Sequence, residues 1–106
     1  MRDIQLYGQR AKHIVRDRRL VEMEPVEVEA LCYLVLVVTE ATIQALTLDD
    51  TLGQRHPDIP WREIRAMGNR LRHGYASIDL QVVHEVVERG HIDRLLQLAA
   101  TELEQA

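Results

Sequence analysis

Leu31-Cys32-Tyr33-Leu34-Val35-Leu36-Val37-Val38 is the stretch whose reading decides the fold. Taken alone it is β-branched enough to suit a buried strand. Its setting argues otherwise. The segment from Pro25 to about Leu46 contains no Gly and no further Pro, and about twenty uninterrupted residues are too many for one strand. The spacing therefore predicts a helix. Pro25 suits its first position, and Glu27 and Glu29 suit the positive N-terminal end. An apolar surface on nearly every side calls for neighbours on nearly every side, which describes a central helix, one able to meet a second subunit as well.

Outward from that helix the pattern stays helical. Ile4, Tyr7, Ala11, Ile14 and Val15 recur at three- and four-residue spacing, predicting a first helix from about Asp3 to Arg19. Its other face carries Arg10, Lys12, Arg16, Arg18 and Arg19, most simply a solvated face. Val21 to Glu24 reads as a turn, and Asp49 to Asp58, with Gly53 and Pro57, as a connection. Pro60 opens a helix with an apolar stripe of Trp61, Ile64, Met67 and Leu71, ended by Gly74. Asp79 or Ser77 caps a fourth helix carrying Leu80, Val83 and Val87. Gly90 breaks the pattern before a fifth, from about Ile92 to Leu103. The expected fold is all-α: one domain over residues 1–106, an up-and-down bundle of four to five helices.

Composition agrees. The chain has 106 residues, 46% apolar and 28% charged, with 4% aromatics and no Phe. That profile excludes a disordered or collagen-like chain and disfavours a β-sandwich. The net charge of −4 argues against a general nucleic-acid coat and leaves room for a local basic cleft. The one cysteine, Cys32, excludes an intrachain disulfide and reads as a small buried hydrophobe. The N-terminal residues lack the apolar core of a signal peptide, and the run from Ala30 to Val38, between Glu29 and Glu40, is short for a bilayer. A cytoplasmic protein is expected.

The chemistry concentrates between His56 and Asp79. On a helix Arg65, Asn69 and His73 fall along one face, flanked by Arg62 and Arg72. From Arg62 to His73 four arginines stand against Glu63, a formal +3 in an acidic protein. Such a helix end suits phosphate, and His73 adds proton transfer near neutral pH. The plainer alternative is that basic residues complement the helix C-terminus and His73 caps it.

The motifs His56-Pro57-Asp58-Ile59-Pro60-Trp61, Met67-Gly68-Asn69-Arg70-Leu71-Arg72-His73-Gly74-Tyr75 and Ile78-Asp79, with Val38-Thr39-Glu40-Ala41 on the central helix, resemble the HepT-like toxins of the HEPN superfamily from about Ala30 to Leu98. The resemblance implies a dimeric HEPN-like bundle whose two arginine–histidine motifs face one cleft. It implies a metal-independent endoribonuclease toxin in a type VII-like system. The partner would be an MntA-type nucleotidyltransferase antitoxin that adenylylates the tyrosine two residues after the motif histidine. By position Asn69 matches the motif's polar residue, His73 its histidine and Tyr75 the modified tyrosine.

The arginine does not carry over, because Gly68 occupies its place. A guanidinium is what would hold phosphoryl oxygens as charge develops, and Gly cannot supply it. Arg65, Arg70 and Arg72 are the candidate substitutes and phosphate-binding groups. A mid-helix Gly costs about 1 kcal/mol relative to Ala, so Gly68 marks either an inactivating loss or close helix packing. Glu40, alone in an apolar helix, is an interface carboxylate paired to an arginine or a support for the cleft.

Other constellations are weaker. His84, Glu88 and His91 straddle Gly90 without diagnostic metal-ligand spacing, so neither a metal nor a cofactor is expected. Trp61 reads as a core anchor, and the Pro60–His73 helix makes no convincing helix-turn-helix. The competing function is a non-catalytic helical dimer that binds the nucleotidyltransferase partner or a nucleotide.

Overall fold

The computed structural model describes residues 1–73 and 78–105. Among the described residues six helices follow one another: α1 (Arg2–Val15), α2 (Pro25–Leu48), α3 (Leu52–Arg55), α4 (Trp61–His73), α5 (Leu80–Glu88) and α6 (His91–Glu104), with a 3-10 turn at Leu20–Glu22. No strand occurs among the described residues. The all-α reading holds, with one helix more than the five expected. The addition is α3, one turn inside the segment predicted to be a plain connection. Leu52 explains it: buried to 1% exposure, it needs a local turn to reach the core.

α2 is the central element, packed against α1, α4, α5 and α3, while α6 lies on α1 and α5. Leu31, Leu34, Val35 and Val38 of α2 meet Ile4, Ala11 and Val15 of α1, Leu71 of α4, Val83 of α5 and Ile92, Leu95 and Leu98 of α6 in one core. Cys32 is buried among them. The buried Thr42 donates its hydroxyl to the Val38 carbonyl at 2.7 Å, so the apolar environment leaves no polar atom stranded there. With 24 residues, α2 is long and apolar enough by those criteria to cross a bilayer, more so than the Ala30–Val38 run suggested. Here it serves as the core helix of a bundle. The expectation of neighbours all round is met on most of its circumference, but Val26, Tyr33 and Leu48 remain exposed.

α1 ends at Val15 rather than near Arg19. Arg16 and Asp17 take left-handed backbone angles, φ 32° and 63°, and the Arg16 N–H closes the helix on the Lys12 carbonyl at 2.8 Å. The reversal serves Arg18. Its guanidinium grips Glu27 at the start of α2 through both carboxylate oxygens, at 3.0 and 2.7 Å, and also donates to the Ile14 carbonyl. Its own carbonyl accepts from Nε2 of the fully buried His84 at 2.7 Å. Arg18 is thus a three-helix clamp, not part of a solvated face, and Lys12 likewise pairs with Asp93 of α6 at 2.5 Å.

Glu27 receives the Glu24 N–H at 2.9 Å as well, capping α2 in front of Pro25. The Arg18 hydrogen bonds, then that N–H, pull its carboxyl down to about 2. At the far end of α2, Arg55 bridges Asp49 at 2.8 Å and Glu102 of α6 at 2.7 Å, His56 meets Glu102 at 2.8 Å, and Trp61 donates to the His56 carbonyl at 3.1 Å. These bonds fix where α4 begins. Asp79 caps α5 through the Gln81 N–H at 2.9 Å, and Gly90, at φ 83°, makes the left-handed turn into α6.

Candidate functional site

α4 lies against α2 through Gly68, which is buried at the contact. A Cβ on Gly68 would stand 3.1 Å from the Thr39 hydroxyl oxygen and 3.5 Å from Thr39 Cβ. Thr39 has little freedom to retreat, because its hydroxyl donates to the Leu36 carbonyl at 2.8 Å. Gly68 therefore has a packing role, the second of the two explanations the sequence offered. The first is not displaced: any side chain at 68 leaves this contact beside a notch of about 220 Å³.

Thr39, Glu40, Ile43 and Gln44 of α2 form one wall of that notch, and Arg65, Gly68, Asn69 and Arg72 of α4 the other. Arg72 of α4 reaches Glu40 of α2, while Gly68 stands against Thr39. The predicted face is thus assembled: Arg65 and Asn69 share the notch with the motif position itself. Arg72 joins them, whereas Arg70 does not line it. His73 is the last residue of α4 and exposed, one step beyond Arg72. Tyr75 lies outside the described residues, as do Gly74 and Ser77.

Glu40 is paired to an arginine, as one of its two readings required. Nε and Nη2 of Arg72 approach the same carboxylate oxygen at 3.0 and 2.8 Å. Both side chains are nearly half exposed, 48% and 45%, where such a pair contributes about 0–1 kcal/mol. An arriving anion can therefore draw Arg72 away from Glu40 at small cost. Arg62 and Arg65 make no ion pair among the described residues. In the notch one uncommitted guanidinium, Arg65, and a loosely held second, Arg72, stand with the Asn69 side chain, and the His73 imidazole follows Arg72 at the helix end. That set can bind a phosphodiester and move a proton.

Sequence reasoning did not include Thr39, Ile43 and Gln44 in the site. The available signal was helical spacing, since 39, 40, 43 and 44 form one face with Glu40 already singled out. Behind α4 lies a second cavity of about 210 Å³, mostly apolar, between Ile64 and Met67 on one side and Val86, Ile92 and Leu95 on the other. Thr39 borders both cavities. Of the discounted His84–Glu88–His91 set, His84 serves the Arg18 carbonyl with its Nδ1 3.6 Å from Glu88, and His91 borders the apolar cavity.

The described residues thus form a helical bundle that carries a basic, polar helix ending in histidine over an acidic residue of its central helix. Comparison with known families places it more closely. The HepT-like family, described as Ribonuclease HepT-like, matches residues 4–101. The chain belongs to the HepT-like ribonuclease family of the HEPN superfamily. No curated protein and no solved structure matches it.

Proposed function

We propose that this chain is the toxin of a type VII-like HEPN/MNT pair: a cytoplasmic, metal-independent endoribonuclease, acting as a homodimer, attenuated here by Gly68 and controlled by adenylylation of Tyr75. The observation that carries the reading is the notch, where Arg65, Asn69 and Arg72 surround the position of the missing arginine, on the helix that ends in His73. In the reaction the RNA 2′-oxygen attacks the adjacent phosphorus and the 5′-oxygen leaves, giving a 2′,3′-cyclic phosphate and a 5′-hydroxyl. One His73 would accept the 2′-hydroxyl proton and His73 of the partner subunit would donate to the leaving oxygen. Such proton transfer contributes about 10²–10⁴ in rate. Guanidinium groups would hold the phosphorane oxygens as their charge grows.

Family membership and the assembled face support the ribonuclease reading. The close Gly68–Thr39 contact supports the second, a non-catalytic dimer that binds a nucleotidyltransferase of the MntA type or a nucleotide. The separating experiment is Gly68→Arg on total RNA. The unaltered chain should cut poorly and the variant well, in EDTA, with activity lost again on His73→Ala. A folded, inert Gly68→Arg beside an active parent would refute the arginine's placement. Both being inert would favour the second reading. Tyr75 control is tested by intact-mass measurement after incubation with the cognate nucleotidyltransferase and ATP. AMP adducts should appear, and none on Tyr75→Phe.

A further inference from the structure

The motif helix has two different flanks. Arg65, Asn69 and Arg72 line the notch, while Ile64 and Met67 line the apolar cavity behind it, so α4 separates the two spaces. α4 packs extensively on α2 and has no comparable packing on α5 or α6. The cavity is the gap between them, about 210 Å³ walled chiefly by Ile59, Ile64, Met67, Val86, Ile92 and Leu95. Ile64 and Met67 belong to the inward stripe of α4, yet both are only half-buried.

We infer that this cavity is a binding site for a compact, uncharged apolar molecule, about the size of one aromatic ring with a short chain, and that filling it braces the motif helix. The inference goes beyond the proposed function and rests on that reading only in treating the notch as the phosphate site.

Size and lining are the first argument. An apolar cavity of about 150 Å³ is enough to admit benzene, and this one is larger. Its walls offer an apolar guest dispersion contacts on several sides, and the Thr39 hydroxyl at its edge is already committed to the Leu36 carbonyl. Met67 adds an adaptable wall, since an unbranched thioether chain fits itself to guests of different shape.

The rim decides the kind of occupant. Glu63 and Arg94 border the cavity and are exposed, so the mouth is charged and favours neither sign. None of the large apolar residues exposed elsewhere on the described surface borders it. A protein anchor inserted here would lack the apolar surround that keeps water from a buried contact. A molecule that lies wholly inside needs none, and a charged one would lose its hydration without a buried partner.

Thr39 supplies the coupling. It borders the cavity and the notch alike, and it is the residue against which Gly68 packs. A guest touching Ile64, Met67 and Thr39 holds α4 from behind. Bracing α4 lowers the ordering cost met when an anion gathers Arg65 and Arg72. Occupancy should therefore tighten phosphate binding, and phosphate should tighten the guest by the same factor.

The test uses the full chain and toluene. Amide NMR should show saturable shifts at Ile64, Met67, Ile92, Gly68 and Asn69, and none at Arg10 on α1. The thermal midpoint should rise by a few degrees with toluene in excess. Val86→Trp, which fills the cavity from α5 and leaves the notch residues in place, should abolish both responses. Val86→Met, a milder filling, should weaken toluene severalfold, and circular dichroism shows that each variant is folded. Saturating toluene should tighten binding of a 2′-O-methyl RNA roughly fivefold. The absence of saturable shifts would overturn the inference, as would shifts that both Val86 variants leave intact or toluene binding with unchanged RNA affinity. Displacement of toluene by the nucleotidyltransferase would assign the cavity to a protein anchor and overturn it too. Were RNA not to bind with or without toluene, the ribonuclease reading would fall, while the toluene shifts at Gly68 and Asn69 would still decide the inference.

Discussion

Replacing Gly68 by Ala tests whether the helix contact beneath the notch sets the residue at the motif position. In an unconstrained helix interior the change should stabilise by about 1 kcal/mol. Here the new Cβ would stand 3.1 Å from the Thr39 hydroxyl, tighter than ordinary contact. Relief requires that hydroxyl to turn from the Leu36 carbonyl, 2.8 Å away, at a cost of about 0.5–1.5 kcal/mol. The two effects cancel, so Gly68→Ala alone should be close to neutral. With Thr39→Ala the hydroxyl is gone and only the ordinary 3.5 Å approach to Cβ remains. In that background the full gain of about 1 kcal/mol should return, roughly 4–8 °C in Tm for a domain near this size. Urea and thermal unfolding of the four proteins, at one protein concentration because of the proposed dimer, closes the cycle. A full gain in the native background would show that the contact is slack. A loss of more than about 2 kcal/mol in both backgrounds would show that backbone, not the hydroxyl, opposes a side chain there. The same relief predicts that Gly68→Arg is better tolerated with Thr39→Ala.

Glu27 titrates at about 2 in the folded chain against an ordinary value of 4.5, so its contribution is present above about 4.5 and is lost as pH falls toward 2. Glu27→Gln should therefore flatten the acid limb of stability in that window, as read from urea midpoints at pH 7 and pH 3. Arg72→Ala should weaken binding of a 2′-O-methyl RNA and lower the salt slope by about 0.7, one single-strand phosphate contact. Glu40→Gln, which frees Arg72, should tighten it; equal slopes in all three proteins would remove Arg72 from the phosphate site. His84→Ala should destabilise by about 2–4 kcal/mol, since it empties a fully buried position and strands the Arg18 carbonyl. A denaturation curve unchanged from the parent would mean that water replaces the imidazole without penalty.

The helices, their order and the polar face of α4 were legible in the sequence because each depends on local periodicity. Apolar residues recur every three or four positions, Gly and Pro punctuate the chain, and Asp79 caps as its side-chain chemistry requires. The HepT-like family was legible too, because its motifs are short, ordered and mostly confined to one helix and its approach. Tertiary structure alone decided the rest, since it depends on residues far apart in the chain. Arg18 looked like one more basic residue on a solvated face until Glu27 and the buried His84 gave it partners, and those partners end α1 four residues early. Gly68 carried two meanings in sequence, and only the 3.1 Å approach of Thr39 from another helix gave the packing meaning a physical basis. Among Arg65, Arg70 and Arg72, helix angle alone did not select, because selection required α2 as the opposite wall. The uniformly apolar α2 shows the same division. Its composition called for neighbours on nearly every side, but how many sides one chain can cover depends on packing, and this chain leaves Val26, Tyr33 and Leu48 exposed.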